Sequence, residues 1–144
     1  MPTPGPTPGP TRVYPGQRLG LPEHGPGSVA SWLLRITAIV IDWAASWAVA
    51  VAITGGKAWT TNGGSFVTTG VFIAELTLLT ALVGGSFGQL LLRIRVAGLK
   101  GRPVSLLEAL LRSVLIALVI PPLVFNRDNR GLHDLAVGTV AVRR

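Results

Sequence analysis

LLRITAIVIDWAASWAVAVAI, from Leu33 to Ile53, is an apolar run that carries two charges, Arg35 and Asp42. A helix needs about 20 apolar residues to cross the hydrocarbon of a bilayer, so this run predicts a membrane-spanning helix. An Arg or Asp near the centre of such a helix costs about 2.5 to 3.5 kcal/mol on insertion scales, and it persists where it finds a partner or performs a task. At helical period the two charges fall on nearly one face, about two turns and ~10 Å apart. Ile39 and Ser46 complete that face. Roughly opposite, Ala44, Ala48 and Ala52 recur every four residues and form a small-residue stripe on which another helix could pack closely.

Composition agrees with a membrane protein. The chain has 144 residues, room for one domain, and is 49% hydrophobic, with a mean hydropathy of +0.54, too apolar for an ordinary soluble fold of this size. The net charge of +7 raises nucleic-acid binding, but the basic residues flank apolar runs and do not interleave with aromatics, so no nucleic-acid partner is expected. With no Cys in the sequence, a disulfide framework, a thiolate zinc site and a cysteine nucleophile are excluded.

Residues 1–31 read as a Pro- and Gly-rich tail and linker, disordered or extended by itself. Its Pro-broken start lacks a basic signal-peptide region, so the tail is expected to stay attached. Residues 32–144 form the membrane domain. Trp32 marks a water–lipid boundary, and Thr54 to Ser65 is a short polar loop. A second spanning helix is expected from about Phe66 to Val83. It carries Glu75, which lies at a similar depth to Asp42 when both are counted from the loop they share.

In LLRIRVAGLKGRPVS, Arg93 and Arg95 alternate with Leu92, Ile94 and Val96. This suits a short amphipathic strand turned by Gly98 to Gly101, a possible cytoplasmic hairpin, or a frayed helix end. The basic residues Arg93, Arg95, Lys100 and Arg102 place this loop, and with it the N-terminus, on the cytoplasmic side. A third apolar segment, Leu106 to Phe125, contains Glu108 and Arg112 at ion-pair spacing and then Pro121-Pro122. The basic C-terminal stretch favours an interfacial or re-entrant third helix, with a plain third span as the alternative. The expected fold class is therefore all-α: a small bundle of three membrane-embedded helical segments.

Several residues together resemble the RDD family of small bacterial membrane proteins, named for one Arg and two Asp. The resemblance is carried by Arg35 and Asp42, then Gly88 and Val96, then Gly101, Pro103, Ser105 and Arg112, and finally Gly131-Leu132-His133-Asp134 and Gly138-Thr139. The third signature residue is Asp134, and Gln89 departs from the Lys of many relatives. The resemblance implies a multi-pass protein of the bacterial inner membrane without established enzymatic activity. It further implies one of two roles: a cation/proton antiporter, or an accessory subunit of the respiratory supercomplex of cytochrome bc and cytochrome oxidase. The Pro-rich tail and a leader similar to that of actinobacterial members favour the accessory subunit, whose partners are other integral membrane subunits and the lipid bilayer.

The residues themselves support no catalysis. No Ser or Thr has a base nearby in sequence, and nucleotide-cradling glycine motifs are absent. His133-Asp134 suggests a metal or acid–base pair, but His24 is the only other His and a metal site needs three or four ligands. No metal and no cofactor are expected. The preferred reading of Asp134 is structural, with Arg130 as its partner or a helix end to cap. Arg35, Asp42, Arg112, His133 and Asp134 are read as a structural charge network. Asp42 and Glu75 form the possible ion site, able to hold a cation or share a proton.

Overall fold

The computed structural model describes residues 2, 5, 13–60, 62–118 and 130–144. Most of the Pro-rich tail, and the third segment's end with Pro121-Pro122, lie outside the described residues.

Two long helices dominate. Helix α1 spans Trp32–Thr54 and α2 spans Asn62–Val83. Ser31 opens α1 by accepting the Leu34 N–H, and Gly55, at φ 60°, closes it in the left-handed region that glycine enters without strain. Both helices are long and apolar enough to cross a membrane. Only 22% and 28% of their most apolar windows are buried within the chain, where a soluble protein would bury such helices almost entirely.

Polarity is distributed from the inside outward. Arg35, Asp42, Ser46, Thr68, Thr80, Arg112 and Asp134 are buried, while Leu33, Val40, Ile53, Phe66, Leu82 and Leu107 are exposed. Water selects the opposite arrangement, and a hydrocarbon surround selects this one. On α1 the buried residues Ala38, Asp42, Ser46 and Ala50 recur every fourth position. On α2 the buried positions Gly64, Thr68, Phe72, Leu76 and Thr80 do the same. The two helices pack against each other, and Trp43 meets Phe72 edge-on at 5.2 Å between ring centroids.

Three shorter elements follow α2. Helix α3 is Phe87–Leu91, strand β1 is Ile94–Gly98 and helix α4 is Leu106–Ala117. Helix α4 packs against α2, with Ile116 on Phe72 and Leu76; it buries Ala109 and Ser113 and turns Leu106, Leu107, Leu110, Leu111 and Val114 outward. Helix α5, Leu132–Val137, and strand β2, Thr139–Arg143, complete the chain.

The expectation of an all-α fold is corrected by a small sheet. Strands β1 and β2 pair antiparallel, with Ile94 opposite Arg143 and Gly98 opposite Thr139. The alternation in the basic loop does form a strand, with Ile94 and Val96 buried and Arg95 exposed. The expected local hairpin is not its context, however, because its partner arrives from the C-terminal end of the chain. Residues 27–30 run along the other side of β2: the Gly27 N–H donates to Arg143 O at 2.8 Å and the Ala30 N–H to Ala141 O at 2.9 Å. Val96 N–H reaches Gly84 O at 2.6 Å, just beyond α2. The sheet is thereby fastened to the start of α1 and the end of α2, which are the same end of both spans.

Candidate functional site

Two buried carboxylates organise the interior, and they are satisfied in different ways. The first is Asp42, on the inward face of α1. Its Oδ2 accepts the Ser86 hydroxyl at 2.5 Å and its Oδ1 accepts the Gly88 N–H at 2.5 Å. Glu75, on α2, accepts the Phe87 N–H through Oε1 at 2.6 Å. Ser86 caps α3 by accepting the Gln89 N–H, and the Gln89 side chain accepts the Ser86 N–H in return. Every free N–H in the first turn of α3 is thus accepted: Phe87 by Glu75, Gly88 by Asp42, Gln89 by Ser86. The two acids do not face each other across an empty site; they clamp one helix terminus, whose partial positive charge suits them.

Gly88 makes this approach possible. A Cβ there would lie 2.2 Å from the Ala38 carbonyl oxygen, so the α3 backbone rests directly on α1. Gln89 is buried and closes the capping box.

The second carboxylate is Asp134, on α5, which is 0% exposed. Arg112 Nε donates to its Oδ1 at 2.9 Å and the Thr139 hydroxyl donates to the same oxygen at 2.8 Å. Arg35 Nη1 lies 3.6 Å from Oδ2, and His133 Nε2 lies 3.5 Å from it. Arg130 binds the surrounding backbone, donating from Nε to Thr139 O at 2.9 Å and from Nη2 to Asp134 O at 3.3 Å. Burial works to raise the Asp134 carboxyl; the charges of Arg112, His133 and Arg35, with the Arg112 hydrogen bond, outweigh it and hold the group well below the usual carboxylate range.

These contacts separate residues that spacing places together, and they correct the ion pair expected on α4. Arg35 and Asp42 share a face of α1, but Arg35 turns to Asp134 while Asp42 turns to α3. Arg35 is 8% exposed. Glu108 and Arg112, at ion-pair spacing on α4, do not bond each other. Glu108 completes a capping box with Ser105 and pairs with Arg102 at 2.6 Å, whereas Arg112 turns inward to Asp134. The Ser105 N–H first, then Arg102, hold Glu108 below the usual glutamate range.

His133 is buried beside Asp134. Among the described residues no three His, Cys, Asp or Glu side chains gather as metal ligands. Ala44, Ala48 and Ala52 all lie on the exposed side of α1. Sequence reading missed Ser86, Gly88 and Thr139 as partners of the two acids; the S-x-x-Q spacing of Ser86 and Gln89 is the signal that marks the α3 start.

No curated protein and no solved structure matches the chain. The RDD family pattern matches residues 29–138, a span that contains Arg35, Asp42 and Asp134 alike, and the chain therefore belongs to the RDD family.

Proposed function

We propose that this protein is a non-catalytic accessory subunit of the bacterial inner membrane, which docks on other integral membrane subunits through the outward face of α1. The observation that carries this reading is the division of α1 into two small-residue faces. Ala38, Asp42, Ser46 and Ala50 are used within the chain, while Ala44, Ala48 and Ala52 lie on the exposed side. A second small stripe on a spanning helix suits close approach by another helix. The signature charges are all engaged internally, which fits a structural task. The resemblance of the leader and the motifs to RDD members of the respiratory supercomplex supports cytochrome bc and cytochrome oxidase subunits as the partners. The basic loop at β1 supports a cytoplasmic N-terminus.

Purification of the full chain from its native membrane in mild detergent, followed by native mass spectrometry and haem absorbance, tests the proposal. Haem-bearing subunits should accompany the protein, and Ala48→Phe should remove them. Recovery of the free chain or a homo-oligomer alone would overturn it.

A second reading, cation or proton transport, draws on Glu75. Its Oε2 and the Ser46 hydroxyl are buried and have no hydrogen-bond partner among the described residues. Both residues border a cavity of about 480 Å3 between α1 and α2. Flux through vesicles holding this chain alone, abolished by Glu75→Gln, would favour that reading over the first.

A further inference from the structure

The sheet gathers positive charge on one corner of the molecule. Arg93, Arg95, Arg143 and Arg144 are exposed on and beside β1 and β2. Arg95, Arg143 and Arg144 border a cavity of about 540 Å3, closed on its other sides by Pro26, Gly27 and the α2 end at Val83 and Gly84. Arg144 also donates to the Val83 carbonyl at 3.0 Å, which ties the basic wall to the last turn of the span.

The same end of the molecule carries an apolar ledge. Leu82, Val83, Phe87 and Leu91 are exposed on α2 and α3. A basic cavity at the end of a span, next to an apolar ledge, matches a molecule with an anionic head and hydrocarbon tails.

Backbone conformation adds an independent observation. Arg93 follows the end of α3 with φ 56°, a left-handed conformation that the position just past a helix usually assigns to glycine. Its carbonyl accepts the Arg144 N–H at 2.7 Å, so the residue belongs to the same corner. An arginine held where glycine would be less strained adds a further exposed positive charge beside the cavity.

We propose that this corner is a binding site for the headgroup of an anionic phospholipid, whose phosphate sits among the sheet arginines while its acyl chains lie along α2 and α3. The site goes beyond the docking role and does not depend on it. Each arginine at a membrane surface changes the affinity for anionic lipid by about five-fold.

The test uses the full chain in nanodiscs of equal phosphatidylglycerol and phosphatidylcholine, with native mass spectrometry of the lipids that stay bound on release. Phosphatidylglycerol should be retained in preference. Arg95→Gln and Arg143→Gln should each lower its retention by about five-fold. Arg93→Gly should lower it equally while leaving thermal stability in detergent unchanged or higher, because it relieves the backbone. Equal retention of the two lipids would overturn the proposal, as would undiminished phosphatidylglycerol in all three variants. Inorganic phosphate that stabilises the detergent-solubilised protein as well as phosphatidylglycerol does would assign the site to a free anion instead. Failure to retain phosphatidylglycerol alongside tight binding of a polyglutamate peptide would assign it to an acidic protein partner.

Discussion

Asp42 and Asp134 are both buried aspartates of one small membrane protein, and their surroundings have little in common. Asp42 faces a hydroxyl and a backbone N–H at the start of α3. Asp134 faces Arg112 and Arg35 as side chains, with Arg130 wrapped around its backbone. At Asp42 the compensating charge is a dipole fixed by the fold, spread over peptide groups. At Asp134 it consists of whole cations, which would themselves be stranded without the acid. Removing Asp42 therefore loosens its two hydrogen bonds to the start of α3, whereas removing Asp134 exposes a repulsion among its former partners.

The largest effect should come from Asp134→Asn. It leaves buried arginines uncompensated, and the expected loss is about 3 to 5 kcal/mol, read as a lowered melting temperature in detergent. A loss no greater than that of Asp42→Asn would break the comparison. The same contrast appears in pH. The folded-state pKa of Asp134 lies below its unfolded value, so its contribution is complete above the ordinary aspartate range near pH 4 and declines as the pH falls below it. Acid melting curves should show that decline in the native protein and lose this component in Asp134→Asn.

Next in size is Gly88→Ala. The added Cβ meets the Ala38 carbonyl at 2.2 Å, so α3 must retreat from α1, at about 1 to 3 kcal/mol. Crosslinking between positions 38 and 88 would report the separation. Asp42→Asn should be milder, about 1 kcal/mol, because the amide oxygen still accepts one of the two donors. Glu108→Ala is the smallest, about 0.5 to 1 kcal/mol, since it removes a capping box at a partly exposed helix start. An effect there as large as that of Gly88→Ala would mean that the Arg102 contact carries more weight than its exposure suggests.

Sequence reading was effective where the signal was local. The length and polarity of Leu33–Ile53 foretold α1, and the run to Val83 foretold α2, since hydrophobic length is the property that a bilayer selects. Alternation around Arg95 left a strand and a frayed helix end open, and the strand is what forms. Its partner was not legible, because β2 lies far along the chain and nothing near Ile94 encodes a register with Arg143. Partners of the charges failed for the same reason. The helical period puts Arg35 and Asp42 on one face, but α3 and α5 decide that they diverge. At Glu108 the local rule misled: the i,i+4 spacing to Arg112 pointed to an ion pair, while the competing S-x-x-E spacing from Ser105 pointed to the capping box that forms.

The distance in sequence between Arg35 and Asp134 sets an order of events during synthesis. Chains emerge N-terminal end first. Asp42 can settle on Ser86 and Gly88 once α3 has been made, but Arg35 and Arg112 must wait for α5. Until then the inserted hairpin of α1 and α2 carries an arginine without its acid. A chain that stops short of Asp134 leaves Arg35 and Arg112 without the acid that compensates both.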